Sequence, residues 1–159
     1  MREAWSKSWD VNVTGTHITT HTFMPLLLAS SDPRLIFITS GLASLEDSAE
    51  GRTPKPIPPA GWPKPSGANF PAYRSSKTGL NMMMLEWTRI LKEDGVKIWS
   101  IAPGLLATGL GGTGVEKLKA RGAKDPAIGG EFIKDVIEGK RDKDSGKVVR
   151  NYSSEIQPW

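Results

Sequence analysis

A phenol and an ammonium group stand four residues apart at the start of a long segment with helical periodicity. They are Tyr73 and Lys77, in the pentapeptide Tyr-Arg-Ser-Ser-Lys. Residues at positions i and i+4 of a helix lie on the same face, and a nearby cation favours the ionised form of a phenol. Tyr73 is therefore a candidate proton donor or acceptor near neutral pH. Surface helices contain this spacing by chance, so its meaning depends on the elements around it.

These elements alternate between helical and extended patterns. Helices are predicted over residues 5–28, 72–93, 115–120 and 126–138, and strands over residues 34–40, 96–102 and 147–150. Pro25 should bend or end the first helix. Short apolar strands between helices favour an α/β fold with a parallel sheet and right-handed crossovers.

Length and composition exclude several classes of function. The 159 residues suffice for a single domain, residues 1–159, and the net charge of +4 comes from interleaved cations and anions. Such alternation is typical of a solvated surface, so we expect no nucleic-acid partner. The absence of cysteine fits a reducing compartment. No apolar run approaches the roughly 20 residues that cross a bilayer. We therefore expect a soluble, cytoplasmic protein without a membrane partner.

Residues 45–71 differ from their surroundings because they contain most of the chain's twelve prolines. Proline is unfavourable inside helices and central strands, so this segment is predicted to be an insertion loop. Pro56-Ile57-Pro58-Pro59 also matches the PxxP ligand pattern. A loop between two elements is the favoured interpretation.

Two other patterns could suggest ligand sites. His17 and His21 have the spacing that lets two imidazoles share a metal, but no acidic or cysteine partner is nearby, and no metal site is predicted. Residues 109–114 match Gly-x-Gly-x-x-Gly. A phosphate-binding turn of this type follows a strand directly and opens a helix. This segment follows a Pro-Gly turn instead, so we do not interpret it as a phosphate site.

Four motifs, in this order, resemble those of the short-chain dehydrogenase/reductase family. They are Asn12-x-x-Gly15, Ser40 at the end of the first predicted strand, Tyr73-x-x-x-Lys77, and Pro103-Gly104-x-x-x-Thr108. The resemblance extends from Trp5 to about Val149. Ligands of open parallel sheets bind beyond the carboxyl ends of the strands, where Ser40 and the Pro-Gly turn would lie.

The resemblance implies a catalytic set of Asn12, Ser40, Tyr73 and Lys77. Tyr73 would protonate the carbonyl oxygen during reduction, or remove the proton in the reverse direction. Ser40 would hydrogen-bond that oxygen, with Ser44 close enough to be an alternative. Lys77 would assist Tyr73 and hold the nicotinamide ribose, and Asn12 would anchor a water that relays protons to Lys77.

The resemblance also implies a nicotinamide cofactor, NADP(H) or NAD(H), contacted by Tyr73 and Lys77. Its carboxamide would meet Pro103, Gly104, the backbone of Leu106 and Thr108, and residues 105–125 would form the substrate-loop region. The family's usual phosphate-binding motif is absent, and its N-terminal dinucleotide-binding half is expected to be missing. The implied fold is a truncated Rossmann-like parallel sheet of about three strands with flanking helices.

A sheet truncated in this way would have one bare edge, so self-association or a partner chain that completes the sheet is expected. The long connection from Ser40 to Tyr73 resembles that of the carbonyl-reductase branch. Three functions remain open. The first is an oxidoreductase acting on a carbonyl or alcohol of a small organic molecule. The second is a redox-neutral isomerase, dehydratase or cyclase that uses the same Tyr/Lys pair without a dinucleotide. The third is a non-catalytic fragment.

Overall fold

A computed structural model describes residues 1–52, 57–65, 70–152 and 156–159. The helices are α1 (Arg2–Trp9), α2 (Thr16–Leu28), α3 (Leu45–Ala49), α4 (Pro71–Ile90), α5 (Val115–Ala120) and α6 (Pro126–Ile137), and the strands are β1 (Arg34–Ile38), β2 (Lys97–Ala102) and β3 (Val148–Arg150). A π-helical turn, Asp10–Gly15, joins α1 to α2. Short 3-10 turns lie at Gly41–Ala43, Leu110–Gly112 and Asp142–Asp144.

The sheet has the order β1-β2-β3 and is parallel throughout. β2 is the central strand, and its apolar run is buried because helices cover both faces. Ile98 packs with the apolar side chains Leu80, Met84 and Trp87 of α4. Trp99 and Ile101 pack with Val136 of α6. The predicted three-stranded parallel α/β fold is confirmed.

The first predicted helix differs from the structure in two details. The π turn interrupts it at Asp10, which apolar periodicity does not reveal. Of the two effects predicted for Pro25, ending the helix is wrong, since α2 continues to Leu28, the predicted last residue. Pro25 lies in the last turn of α2, so its missing N–H removes a single hydrogen bond close to the helix end.

The Pro-rich segment also begins differently from the prediction. Residues 45–49 form α3, because the Ser44 hydroxyl accepts a 3.0 Å hydrogen bond from the backbone N–H of Asp47 and caps the first turn. Pro56, the first residue of the PxxP pattern, lies outside the described residues. Among the helices that the structure describes, none is long and apolar enough to cross a membrane.

Candidate active site

The carboxyl end of β1 is attached to the first turns of α4. The Lys77 ammonium donates a 2.7 Å hydrogen bond to the carbonyl oxygen of Ile38. Three further hydrogen bonds join the same segments: Thr39 Oγ1 to Lys77 O at 3.4 Å, Arg74 Nε to Leu42 O at 3.0 Å, and Thr78 Oγ1 to Ala43 O at 3.0 Å. Residues 38–43 therefore run along α4, and Ser40 lies beside the turns that carry Tyr73 and Lys77.

The surroundings of Lys77 disfavour its charged form. Burial lowers the pKa of its ammonium below the ordinary value for lysine. Its hydrogen-bond partner, the Ile38 carbonyl, is neutral, so the bond does not offset the desolvation of the charge in the way a carboxylate would. An ammonium also has three donors, so the bond to Ile38 is compatible with a second contact to a bound ligand.

Ser40 fits the predicted role better than Ser44. The Ser40 hydroxyl accepts a 3.2 Å hydrogen bond from the Leu42 N–H, which leaves its own proton for donation. Ser44 is fully buried, and its hydroxyl accepts from Asp47 and donates to the carbonyl oxygen of Trp159 at 3.5 Å. The proton and one lone pair of the Ser44 hydroxyl are thus used in holding the fold.

The Asn12 side chain binds Ser76 of α4, the residue before Lys77, to which the resemblance linked it. Its Nδ2 donates a 3.0 Å hydrogen bond to Ser76 Oγ, and that hydroxyl donates to the Tyr73 carbonyl at 2.9 Å. Ser76 is completely buried. Asn12 therefore joins the π turn to the backbone of α4 through Ser76, the residue that precedes Lys77.

The π turn also explains why a glycine follows three residues after Asn12. A Cβ placed on Gly15 would lie 2.9 Å from the carbonyl oxygen of Asp10, closer than real Cβ contacts allow. π turns recur at functional sites. The Asn-x-x-Gly spacing thus combines a side chain aimed at α4 with the small residue that this turn requires.

The predicted carboxamide-binding residues lie just beyond the carboxyl end of β2. Gly104 has φ +87°, a conformation that favours glycine. The Thr108 hydroxyl accepts a 3.3 Å hydrogen bond from the Leu110 N–H. Leu106 pairs with Lys124 in an isolated bridge, which closes the predicted substrate-loop region on itself. Pro103, Gly104, Leu106 and Thr108 thus occupy one loop at the expected edge of the sheet.

The residues after β3 also reach this edge, and sequence reasoning missed them. The Gln157 carboxamide is buried, donates to the Ser40 carbonyl at 3.3 Å and accepts from Arg150 Nε at 3.4 Å. The Arg150 guanidinium also forms an ion pair with the Asp47 carboxylate. Gln157 and Ser40 are 117 residues apart, and no local pattern signals such a contact.

The two other sequence patterns are the histidine pair and the glycine-rich segment. The His17 and His21 rings stack with centroids 6.3 Å apart. Within the described ranges, no three His, Cys, Asp or Glu side chains converge as a metal site would require. In the glycine-rich segment, Leu110–Gly112 form a 3-10 turn that leads to the short helix α5.

Comparisons with known proteins agree with the fold and the motifs. A family model described as short chain dehydrogenase matches residues 63–119. The short-chain dehydrogenases/reductases eupG of Phoma sp and tropE of Talaromyces stipitatus are each 52% identical to this chain. These alignments cover 99% and 100% of the chain but only 59% and 60% of the relatives. The chain thus spans about three fifths of the length of these curated relatives.

Solved structures share the fold at lower identity. NADPH-bound carbonyl reductase from chicken fatty liver superposes with a TM-score of 0.76 at 20% identity, and the match covers 100% of this chain and 58% of that one. The oxidoreductase yciK from E. coli gives a TM-score of 0.73 at 20% identity, over 96% of this chain and 54% of that one. With the order of its motifs, its parallel sheet and its close relatives, the chain belongs to the short-chain dehydrogenase/reductase family.

Proposed function

We propose that this protein carries the catalytic part of an oxidoreductase that acts on a carbonyl or alcohol of a small organic molecule. The observation that carries the proposal is the attachment of Lys77 to Ile38, which sets the Tyr73–Lys77 turns beside Ser40. A phenol, an ammonium and a hydroxyl then share the edge of the sheet where ligands of such folds bind.

In the direction of reduction, a hydride adds to the carbonyl carbon and Tyr73 donates its phenolic proton to the carbonyl oxygen. The product is the alcohol, and Tyr73 regains a proton from solvent. The Ser40 hydroxyl donates a hydrogen bond to the same oxygen, where negative charge develops. The Lys77 ammonium stabilises the phenolate that Tyr73 becomes. Asn12 keeps α4 in place through Ser76, and oxidation of the alcohol runs through the same contacts in reverse.

The residues at this edge fit the nicotinamide end of NADP(H) or NAD(H), which supplies or accepts the hydride when bound. Lys77 and Tyr73 would hold ribose hydroxyls. The backbone at Gly104, in its left-handed conformation, and the loop from Pro103 to Thr108 would hold the carboxamide. Among the described residues, no glycine-rich turn joins a strand directly to a long helix, so no pyrophosphate site is assigned to this chain. The bound NADPH of the chicken carbonyl reductase supports the nicotinamide assignment by analogy.

The outer edge of β1 is the proposed docking surface for the remainder of the sheet. Within the described residues, β1 pairs with β2 alone. A groove of about 440 Å³ runs along it, between apolar side chains of α2 and of the strand, including Phe23, Leu27, Leu35 and Phe37. Unpaired strand edges attract further strands. We propose that a strand from a second chain, or from a longer form of this polypeptide, completes the sheet here.

The test is titration of the purified protein with NADPH and NADH, followed by nicotinamide fluorescence and by turnover of a simple aldehyde. We expect saturable binding and aldehyde-dependent oxidation of the cofactor. Tyr73→Phe should lower turnover by about 10²–10⁴-fold, the usual contribution of a general acid. Ser40→Ala should lower it as well, whereas Ser44→Ala, the matched serine variant, should retain it.

Other results would change the assignment. Binding of neither cofactor at millimolar concentration would remove this chain, on its own, from redox chemistry. Proton-transfer turnover without dinucleotide that is still lost in Tyr73→Phe would indicate the redox-neutral alternative. Turnover that is unchanged by Tyr73→Phe would contradict both.

A further inference from the structure

Tyr152 lies across the gap between the two loops that form the candidate active site. A Cβ placed on Gly41, the residue after Ser40, would overlap the Tyr152 hydroxyl. A Cβ placed on Gly104, the residue after Pro103, would lie 3.2 Å from Cδ1 of the same ring. The phenol ring therefore bridges the carboxyl ends of β1 and β2, and glycine at both positions allows this close approach.

The ring is held in this position by the segment after β3. The Arg150 guanidinium lies 5.6 Å from the ring centroid, within the range of a cation–π contact. Arg150 is itself fixed, because it forms an ion pair with Asp47 and contacts the buried Gln157 carboxamide. An anchored cation on the ring limits how far Tyr152 can turn away from the site.

Tyr152 still presents a surface to an incoming molecule, since 51% of the residue is exposed. Burial of the remainder raises the pKa of its phenol, so the hydroxyl stays protonated and can act as a hydrogen-bond donor. A flat aromatic face and a neutral donor next to Ser40 match a planar ligand that has a carbonyl or hydroxyl group. An aliphatic ligand of the same size would have no aromatic ring to stack on this face.

We propose that Tyr152 is a substrate-contacting residue that makes this site select aromatic or conjugated carbonyl compounds, or the corresponding alcohols, over aliphatic ones. The inference rests on the proposed function for the location of the carbonyl, beside Ser40 and Tyr73. It adds the substrate class and assigns the selection to a residue outside the four family motifs.

The test compares benzaldehyde with cyclohexanecarbaldehyde, which have similar size and the same carbonyl but differ in aromaticity. Dissociation constants are measured by ligand-observed NMR, without cofactor and with NADP⁺, which cannot reduce the aldehydes, and turnover is measured separately with NADPH. We expect the wild-type protein to bind benzaldehyde about two- to tenfold more tightly, the range of an aromatic pair. Tyr152→Phe should keep this preference, and Tyr152→Leu should abolish it. Gly41→Ala, which displaces the ring without changing Tyr152, should weaken the preference as well.

Tyr73→Phe separates this inference from the proposed function. Loss of turnover with the aromatic preference intact supports both. A preserved preference in a wild-type protein that reduces neither aldehyde would overturn the proposed function and leave the binding role of Tyr152 standing. Equal affinities in the wild type, no binding of either aldehyde, or an unchanged preference in Tyr152→Leu would overturn the inference. Circular dichroism of each variant verifies that the fold is retained.

Discussion

The Lys77 ammonium lies 2.7 Å from the carbonyl oxygen of Ile38, so a charged side chain of α4 binds directly to the last residue of β1. Ile38 is paired in register with Ile101 of the central strand. The next residue, Thr39, donates its N–H to the Ile101 carbonyl at 2.8 Å. The register of the sheet thereby fixes where Lys77 can sit relative to Ser40.

The lowered pKa of Lys77 predicts a specific dependence of stability on pH. The unfolded chain binds more protons at this position than the folded chain, between the folded pKa and the ordinary value of about 10.4. The contribution of Lys77 to the free energy of unfolding should therefore increase as pH rises through that window. Lys77→Met should remove this increase, as measured by urea unfolding at neutral and alkaline pH. The exposed Lys92→Met is the control, and an identical pH dependence in wild type and Lys77→Met would contradict the prediction.

The hydrogen bond from Asn12 to Ser76 predicts energetic coupling between the π turn and α4. Ser76→Ala leaves the Asn12 amide without its partner, and Asn12→Ala removes a donor from a buried hydroxyl. Each change should lower the free energy of unfolding by about 1–3 kcal/mol. The double variant should lower it by less than the sum of the two single changes. A double-mutant cycle measured by chemical denaturation gives the coupling. Thr14→Ala, on the exposed side of the same turn, is the control, and additive costs would show that the two side chains act independently.

Gly15→Ala tests the requirement for a small residue in the π turn. The added methyl would meet the Asp10 carbonyl oxygen at 2.9 Å, so the turn must shift. Gly130→Ala in α6 is the matched control, because a Cβ there would meet no atom within 4 Å. Alanine should stabilise a helix at Gly130 by about 0.5–1 kcal/mol, while overpacking at Gly15 should cost about 1–3 kcal/mol. Equal thermal unfolding temperatures for the two variants would contradict this explanation of the motif.

The parts of the molecule that were predictable are those encoded by local patterns. The apolar runs in residues 34–40 and 96–102 predicted two strands of a parallel sheet, and the apolar residues at helical spacing in 72–93, Leu80 and Met84 among them, predicted the helix that covers one face. The residues that follow these two strands then predicted that Ser40 and the Pro103-Gly104 turn would lie at one edge of the sheet. Parallel topology alone brings the carboxyl ends of neighbouring strands to one edge, so no long-range information was needed.

The parts that were not predictable depend on geometry that the pattern does not encode. The backbone hydrogen bonds of a π turn close one residue further along the chain than those of an α turn, and the residues around Asn12 keep the same apolar spacing in either case. The proline content of residues 45–71 led to the prediction of a loop, so α3 was missed. Ser44 followed by Asp47 is a helix-capping signal that could have revealed it. The contact of Gln157 with Ser40 arises from the return of the chain after β3, which follows only from the folded structure.

Acid should destabilise the end of the sheet opposite the candidate site. The Arg34 guanidinium and the Lys97 ammonium hold the pKa of the Asp142 carboxyl well below its usual range. A lowered carboxylate pKa contributes stability that is present above the unfolded value of about 3.9 and is lost as pH falls below it. Asp142→Asn should therefore lower stability at neutral pH and flatten the loss in acid. The exposed Glu131→Gln is the control, and a wild-type acid profile in Asp142→Asn would refute the assignment.

Gln157 should position Ser40 rather than merely fill space. Its carboxamide donates to the Ser40 carbonyl and accepts from Arg150, and the residue is 1% exposed. Gln157→Leu keeps most of the volume but leaves both partners without their hydrogen bonds, at about 1–3 kcal/mol for each buried group. Gln157→Glu keeps an acceptor for Arg150, but it replaces the donor to Ser40 with a carboxylate oxygen that would face the Ser40 carbonyl oxygen.

The two Gln157 variants should nevertheless lose turnover to a similar degree, because both release the loop that carries Ser40. The effect should fall on kcat more than on KM, since a displaced hydroxyl loses contact with the charge that develops on the carbonyl oxygen. Unfolding curves and steady-state kinetics of both variants are compared with those of Lys147→Ala, an exposed change close to β3. A Gln157→Glu protein with wild-type turnover would show that the bond to the Ser40 carbonyl has no part in catalysis, and that Gln157 acts only through Arg150.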